Sequence, residues 1–492
     1  MSVAYLQARI VHDRLEVLGK HDCLLGHQLP ASQGRKPDGI YVRWFWTGSS
    51  LQVANDRYGF YPLFYWVRES EIMLSPNIPK LLELGAPTDL DEAGLAVFLR
   101  LGFFIGEDTP FRFIRALPPG VDVEWRPGSL RVEGRRPLAK PARLSPDEVV
   151  ETYASLFRAA IRRRIPSQGD FAIPLSGGRD SRHILLELYE AGYRPKFCVT
   201  VRHFPPRNNS DAECSSHLAA ALGLDHVIVD QPQSQFQVEL RKNLRTSFCT
   251  DEHSHYMALA DHVRGRIHTL YDGIAGDNLS QSNFLKPELL RLFETGQFGE
   301  LASKLLGKDR LLKRLLSHEA LRKYSYELAH SHLVAELRQH ADAPNPVGSF
   351  YFWNRTRREI ALAPYCILDE VPTVFSPFLD HDLYDFLSSL PARMLLEGQF
   401  HTKTIQVTYP RYAEVPYENK SPEVDARSHF RRYARELTGY ALARRSTSVI
   451  RRSYLVPRLL RYLVDGGYSF AVSWLATRTI FLLQLERLTN PD

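Results

Sequence analysis

Residues 171–186 read FAIPLSGGRDSRHILL. An apolar run ends in a Ser-Gly-Gly turn, and Asp180 and Ser181 follow before apolar residues resume at helical spacing. This pattern predicts a buried strand, a tight turn and a helix. In a parallel sheet such a turn lies at the carboxyl end of a strand, where ligands bind. Glycines let the backbone approach a ligand closely and turn its N–H groups inward. The helix dipole and the hydroxyls of Ser176 and Ser181 favour a phosphate anion there. Asp180 alone repels phosphate, so its presence calls for a bridging divalent cation. The lysine-bearing loop G-x-x-x-x-G-K-[ST] is absent. Two other readings stay open: a plain turn with a helix cap, and a hydrolase nucleophile at Ser176. Against the second, Pro174 stands where G-x-S-x-G needs its first glycine.

The pattern continues outward. DFAIPLS, KFCVTVR, HVIVD and HTLYDGIAGD read as strands, and SRHILLELYEAG, DAECSSHLAAALG and HYMALADHVRG as helices. That alternation implies a parallel sheet covered by helices. Residues 1–125 instead carry short β-prone segments broken by turns, among them GIYVRWFWTG, SLQVANDRYG, FYPLFYWVRE and VDVEWRPGSLRVEG. They predict a mostly antiparallel sheet, with one helix at LDEAGLAVFLRLG. EGRRPLAKPARLSPDE reads as a linker, after which Ser145 and Pro146 start a helix as N-cap and first residue. From residue 285 onward the periodicity is mainly helical.

A chain of 492 residues is too long for one ordinary core. Its 44% hydrophobic and 24% charged residues describe a soluble globular protein. A net charge of +6 fits an anionic ligand pocket or a weakly basic face better than a dedicated nucleic-acid binder. Five scattered cysteines and the lack of a secretory leader predict reduced thiols in a cytoplasm. The longest apolar stretch, YSFAVSWLATRTIFLLQL, is interrupted by Arg478 and reads as a buried helix, so no transmembrane segment is expected.

LSGGRDSR resembles the S-G-G-x-D-S pyrophosphate loop of the ATP-pyrophosphatase (adenine nucleotide alpha-hydrolase-like) fold. Along most of the chain the resemblance is to the asparagine synthetase family. ANDRYGFYPLFYW is similar to that family's RDRFGxxPLYY, and LSPNIPKLL to its SEIKALL. FLRLGFFIGEDTPFRFIRALPPG resembles the joint between the two family domains. YDGIAGDNL sits where the family has SGEGxDE, and FSPFLDHDLYDFLSSLP where it has EVRxPFLD. The resemblance implies an α/β protein with a degenerate Ntn-type glutaminase sheet domain over 1–130 and a linker over 131–148. A parallel-sheet ATP-pyrophosphatase synthetase domain with a helical extension follows over 149–492.

The implied chemistry is an amide-forming ligase. A carboxylate attacks the ATP α-phosphate, pyrophosphate leaves, and an amine or ammonia displaces AMP from the acyl-adenylate. Carried over by motif, Ser176, Gly177, Gly178 and Ser181 hold the pyrophosphate, Asp180 and Asp277 hold Mg²⁺, and Val201 and Gly273 lie against the nucleotide. Lys403 and Lys420 fall where the family has two phosphate- and transition-state-binding lysines, and a lysine there offsets charge that develops in transfer.

The pattern also breaks. Glutamine-dependent members begin with a cysteine nucleophile, whereas this chain has Ser2, with Cys23 the nearest thiol. The expectation is a relic glutaminase that makes no ammonia. Ile274 stands where asparagine synthetases have a glutamate and β-lactam synthetases a tyrosine, and an aliphatic side chain transfers no proton. His183, Tyr271, Asp272, Asp369 and Glu370 are the candidates to replace it. These departures keep two alternatives open: a ring-closing tailoring synthetase of the β-lactam or lasso-peptide type, and a non-catalytic nucleotide-binding paralogue.

Two further features stand apart. Asp251, Glu252, His253, His255 and His262 could hold zinc, but the two-residue spacing of His253 and His255 suits no single helical face, and a helix start near the substrate pocket is the simpler reading. Arg427, Arg431, Arg432, Arg435, Arg444, Arg445, Arg451 and Arg452 make the late helices basic, either as solvated faces or as a surface for a partner protein.

Overall fold

The computed structural model describes residues 3–30, 36–134, 136–166, 169–396, 399–418, 423–443, 447–465, 468 and 471–489. The amino-terminal part holds strands β1 (Leu6–Val11), β2 (Arg14–Gly19), β3 (Asp22–Leu29), β4 (Asp38–Trp46), β5 (Leu51–Asn55), β6 (Phe64–Arg68) and β7 (Glu71–Ser75). Helices α1 (Ile78–Glu83) and α2 (Glu92–Leu101) follow, then strands β8 (Arg115–Ala116), β9 (Asp122–Arg126) and β10 (Ser129–Glu133). They form two antiparallel sheets, ordered β2-β1-β7-β6-β8 and β10-β9-β5-β4-β3. The division into two sheets has a plain cause. Along β4, Val42 and Trp44 point inward while Arg43 and Phe45 are exposed, so the sheet has one apolar face to cover. Leu6, Ala8, Ile72 and Leu74 of the other sheet cover it, in one cluster with Val53, Val123 and Trp125.

Helix α3 (Pro146–Arg162) opens the second part, its first turn closed by a Ser145–Glu148 capping box with Pro146 just inside. The chain then runs β11 (Phe171–Pro174), α4 (Asp180–Glu190), β12 (Phe197–Val201), α5 (Ser210–Ala221), β13 (His226–Val229), α6 (Gln235–Arg245), α7 (Tyr256–Val263), β14 (Thr269–Tyr271) and α8 (Gly276–Leu279). A last short strand, β15 (Thr373–Phe375), completes a fully parallel sheet ordered β13-β12-β11-β14-β15. β11 is central, and the order of crossovers reverses between β11 and β14. The Ser-Gly-Gly turn leaves β11 at that switch point. Eight consecutive residues of α4, Ser181–Leu188, are buried, so the helix is enclosed rather than laid on a surface.

The remainder is helical, and among the described residues no helix is long and apolar enough to cross a membrane. Helix Val472–Thr489 is a core element. The Arg478 charge inside it is matched by the Asp251 carboxylate, and its Nε donates to the Leu99 carbonyl at 3.2 Å.

Buried charge joins the two parts. Arg164, 1% exposed, reaches Asp38 of β4 at 2.8 Å and Asp380 at 2.7 Å. Asp380, from the PFLD motif, also binds Arg163 and caps helix His381–Ser389 through the Asp382 and Leu383 N–H groups. Burial pushes the Asp380 carboxyl upward, but the Arg163 hydrogen bond and the Arg164 charge overcome it and hold the group well below the usual range. Its contribution to stability is therefore complete above about pH 4 and is lost as pH falls through the lower folded value. Asp380→Asn removes the carboxylate that Arg163 and Arg164 share and leaves them only Asp382 and Asp38, so unfolding should become easier by about 3 kcal/mol at pH 7 in urea, with the deficit shrinking towards pH 2. Equal midpoints at pH 7 contradict this.

Candidate functional site

The turn between β11 and α4 folds back on itself. Ser181 Oγ accepts the Ser176 N–H at 3.0 Å and lies 3.0 Å from Ser176 Oγ, which accepts the Gly178 N–H at 3.3 Å. The Gly177 N–H donates to Asp211 of α5 at 2.5 Å, and the Gly177 carbonyl accepts from the Glu418 N–H at 2.9 Å. A Cβ on Gly177 would lie 2.7 Å from the Glu418 Cβ and 3.1 Å from the Cys214 Cβ, so only glycine allows these elements to meet. Burial raises the Asp211 carboxyl, partly offset by the Gly177 bond. No side chain caps α4, so its first-turn N–H groups face the turn without that cover.

Asp180 begins α4 and lies against the turn that follows β14. A Cβ on Gly276 would come 2.3 Å from Asp180 Oδ1, and one on Gly273 would come 2.8 Å from the Asp180 Cβ. Both glycines are cut away to admit this carboxylate. Between them Ala275 adopts a left-handed φ of 74°, a conformation that side chains resist. Gln281 donates to Asp180 Oδ1 at 2.9 Å. Burial, and then the nearby charge of Asp277, push the Asp180 carboxyl well above its ordinary range. Burial likewise raises Asp277, and raises Asp272 to about 6. Asp180 of α4 thus meets Asp272 and Asp277 of the turn after β14, and three acids drawn together at glycine positions make a donor set that fits a divalent cation.

A histidine pair backs this cluster. Ser280 gives its hydroxyl proton to the Gly276 carbonyl at 2.7 Å, so its oxygen accepts from His401 Nδ1–H at 2.8 Å. His401 Nε2 is then free to accept from His183 Nδ1, 3.2 Å away. His401 Nδ1 is also 3.7 Å from Asp180 Oδ1. Burial depresses both imidazoles, His401 to about 3 and His183 well below its usual range. At neutral pH both are uncharged, and they orient groups rather than carry charge.

The sequence-predicted residues divide clearly. Ser176, Gly177, Gly178, Asp180, Ser181, Gly273 and Asp277 come together, and Val201 ends the neighbouring strand β12. The Gly177 N–H, expected at the pyrophosphate, is held by Asp211 instead. Lys403 is directed to Asp147 on the first turn of α3, at 2.8 Å and well exposed. Its helix neighbours face inward: His401 towards Asp180, and Thr402 to Arg179. Lys420 and Ser2 lie outside the described residues. Segment 415–418, just before Lys420, is pinned over the turn: Arg182 donates to the Val415 carbonyl at 2.7 Å and the Pro416 carbonyl at 2.5 Å.

Of the candidates to replace the missing glutamate, Asp272 accepts the N–H of buried Ile274 at 2.8 Å and sits in the cluster. His183 is enclosed behind it, and Tyr271 is committed to the Arg164 carbonyl. Asp369 and Glu370 are held at the surface by Arg245. Asp211, Gln281, His401 and Arg179 were not singled out from the sequence. Arg179 carried a signal nonetheless, as a cation inside the loop motif itself.

Cys23 is buried on β3, and burial raises its thiol. All five cysteines are free and buried. Glu252, His253 and Glu359 do cluster within 4.8 Å. However, Arg355 lies 2.7 Å from Glu252 and 3.3 Å from Glu359 and supplies the positive charge there. His255 is the N-cap of α7, and His262 packs on Phe197. On the basic helices Arg432 donates to the Gln233 carbonyl and Arg451 to the Leu316 carbonyl; Arg444 and Arg445 lie outside the described residues.

Comparison with known proteins agrees with this geometry. Residues 25–134 match the glutamine amidotransferase domain, and residues 152–363 match asparagine synthase. Together the two matches support an asparagine synthetase-family protein. A glutaminase-like antiparallel domain stands ahead of the parallel-sheet, asparagine-synthase-like domain. No curated protein matches it significantly. Among solved structures, glutamine phosphoribosylpyrophosphate amidotransferase from B. subtilis, complexed with ADP and GMP, is 11% identical with a TM-score of 0.15. That match covers 39% of this chain and 48% of the other. A structure described as the allosteric regulatory enzyme of purine biosynthesis is 12% identical with a TM-score of 0.15, over 39% and 47% of the two chains. The chain thus spans about half the length of these structures, and so low a score carries no structural argument.

The fit of Asp180 between two glycines yields a direct test. Gly276→Ala should destabilise the protein by about 1–3 kcal/mol in urea, because the new methyl meets the carboxylate. In an Asp180→Ala background most of that cost should vanish. Simple additivity of the two substitutions contradicts the packing described.

Proposed function

We propose that this family member is an ATP- and Mg²⁺-dependent ligase that activates a carboxylate as an acyl-adenylate, releases pyrophosphate, and forms an amide with release of AMP. We further propose that it does so without a glutaminase activity of its own, because Ser2 replaces the nucleophilic cysteine. The observation that carries the reading is the pair Asp180 and Asp277, half-buried near one another at the carboxyl end of the central strands and beside a glycine turn.

The chain's own residues account for the first half of such a reaction. Asp180 and Asp277 would hold the metal, with Asp180 oriented by the Gln281 side-chain N–H, and the metal when bound would screen phosphate charge from the carboxylates. Ser176, Ser181 and the open first turn of α4 orient the polyphosphate for in-line attack. Ile274, buried and aliphatic, excludes water at the position where relatives are said to carry an acid or a phenol. The amine must therefore lose its proton elsewhere, and Asp272, buried in the cluster with its carboxyl raised by desolvation, is the acid assigned to accept it.

Ile274 also favours a second reading, a paralogue that binds nucleotide without turnover. Acid-dependent exchange of labelled pyrophosphate into ATP separates the two. The ligase exchanges in the presence of a carboxylic acid substrate, beginning with L-aspartate and a panel of amino and peptide acids. Asp180→Asn and Lys420→Met should each lower that exchange by about 10³-fold. Tight ATP binding with no exchange across the panel supports the paralogue, and release of inorganic phosphate rejects both.

A further inference from the structure

We propose that Arg179, the variable residue of the Ser-Gly-Gly-x-Asp-Ser turn, is a polyphosphate clamp that takes up the charge of the departing pyrophosphate. This rests on the ligase reading above and adds to it a residue that the loop motif does not specify.

The observations converge on one guanidinium. Arg179 is the N-cap residue of α4, at φ −92° and ψ −37°, with no side-chain cap at that helix end. Its Nε donates to Thr402 Oγ1, on the helix that also supplies His401. Its carbon lies 4.9 Å from the centre of the Tyr417 ring. Tyr417 belongs to the segment that Arg182 pins over the turn, and Arg182 itself lies 3.8 Å from the same ring. Arg179 is thus held at one nitrogen and one face. Among the described residues its two Nη groups make no hydrogen bond and no ion pair. The neighbouring Asp180 does not take them: its described partners are Gln281 and, at 3.7 Å, His401. The two arginines therefore have different tasks. Arg182 is consumed by carbonyls, whereas Arg179 presents two parallel donors at a helix N-terminus.

The reaction gives those donors a use. A carboxylate oxygen forms a bond to the α-phosphorus while the bond from that phosphorus to the bridging oxygen breaks. The electron pair stays on the departing pyrophosphate, whose charge grows as it leaves. A fixed, permanently charged fork at that position stabilises the growing charge without reorganisation. Lys403, expected from the sequence to serve here, is engaged by Asp147.

Titration calorimetry with inorganic pyrophosphate and Mg²⁺, alongside the exchange assay, tests this. Arg179→Gln should weaken pyrophosphate binding about 30-fold, and Arg179→Lys should recover part of the loss. Exchange by Arg179→Ala should be partly restored by added guanidinium ion and not by ammonium. Thr402→Val removes only the Nε tether and should cost less than Arg179→Gln; a larger cost would make Arg179 a brace for its helix and overturn the clamp. Pyrophosphate affinity and exchange in folded Arg179→Gln within twofold of an active wild type overturns the clamp and leaves the ligase intact. A wild type that neither binds pyrophosphate nor exchanges it overturns both.

Discussion

Two carboxylates that repel each other, Asp180 and Asp277, are held near one another in a half-buried cluster, and much of the local design follows from that constraint. Asp180 and Asp277 come from helices that begin at neighbouring strands of one sheet, β11 and β14. Bringing them together requires backbone without side chains at Gly273 and Gly276, and it places Ala275 in a left-handed turn. Gln281 and the His401–Ser280 bond then fix their surroundings. A protein tolerates this arrangement where a cation completes it, since burial of like charges otherwise drives one of them to protonate.

The neighbouring segments follow the same logic of enforced approach. Gly177 uses both of its main-chain groups, giving its N–H to Asp211 and its carbonyl to the Glu418 N–H. Segment 415–418 and helix α5 are therefore tied to the turn through one residue. The helix Phe400–Thr408 contributes three consecutive side chains with three directions: His401 inward, Thr402 to Arg179 and Lys403 outward.

Local pattern carried the architecture well. The alternation from residue 170, the Ser145 cap and the interrupted apolar helix at Arg478 each depend on short-range chemistry, and the structure contains all three. Elements whose burial depends on distant partners were harder to read. β15 has only three residues, and α6, QFQVELRKNLR, is too polar to stand out until its Phe236 and Val238 meet the core. The division of the amino-terminal strands into two sheets was hidden for the same reason, because alternation shows which face is apolar and not what covers it. In the site, Asp180 and Asp277, about a hundred positions apart, lie near each other in the fold, as their motifs imply. Lys403 lies at Asp147 instead, since a lysine's direction depends on a helix face that its flanking sequence leaves ambiguous. His401 and Gln281 gave no pattern at all, as each acts through a single contact.

The Arg164 bridge bears on why the amino-terminal sandwich stays in the protein. That arginine needs Asp38 from one part and Asp380 from the other. Ile40, Tyr58 and Phe60 of the sandwich also enter the core around the parallel sheet. Without the sandwich, the asparagine-synthase-like half would lose the Asp38 counter-charge of Arg164 and the apolar residues that close one side of its core. The leading domain therefore has a structural tie to its neighbour that does not depend on any chemistry of its own.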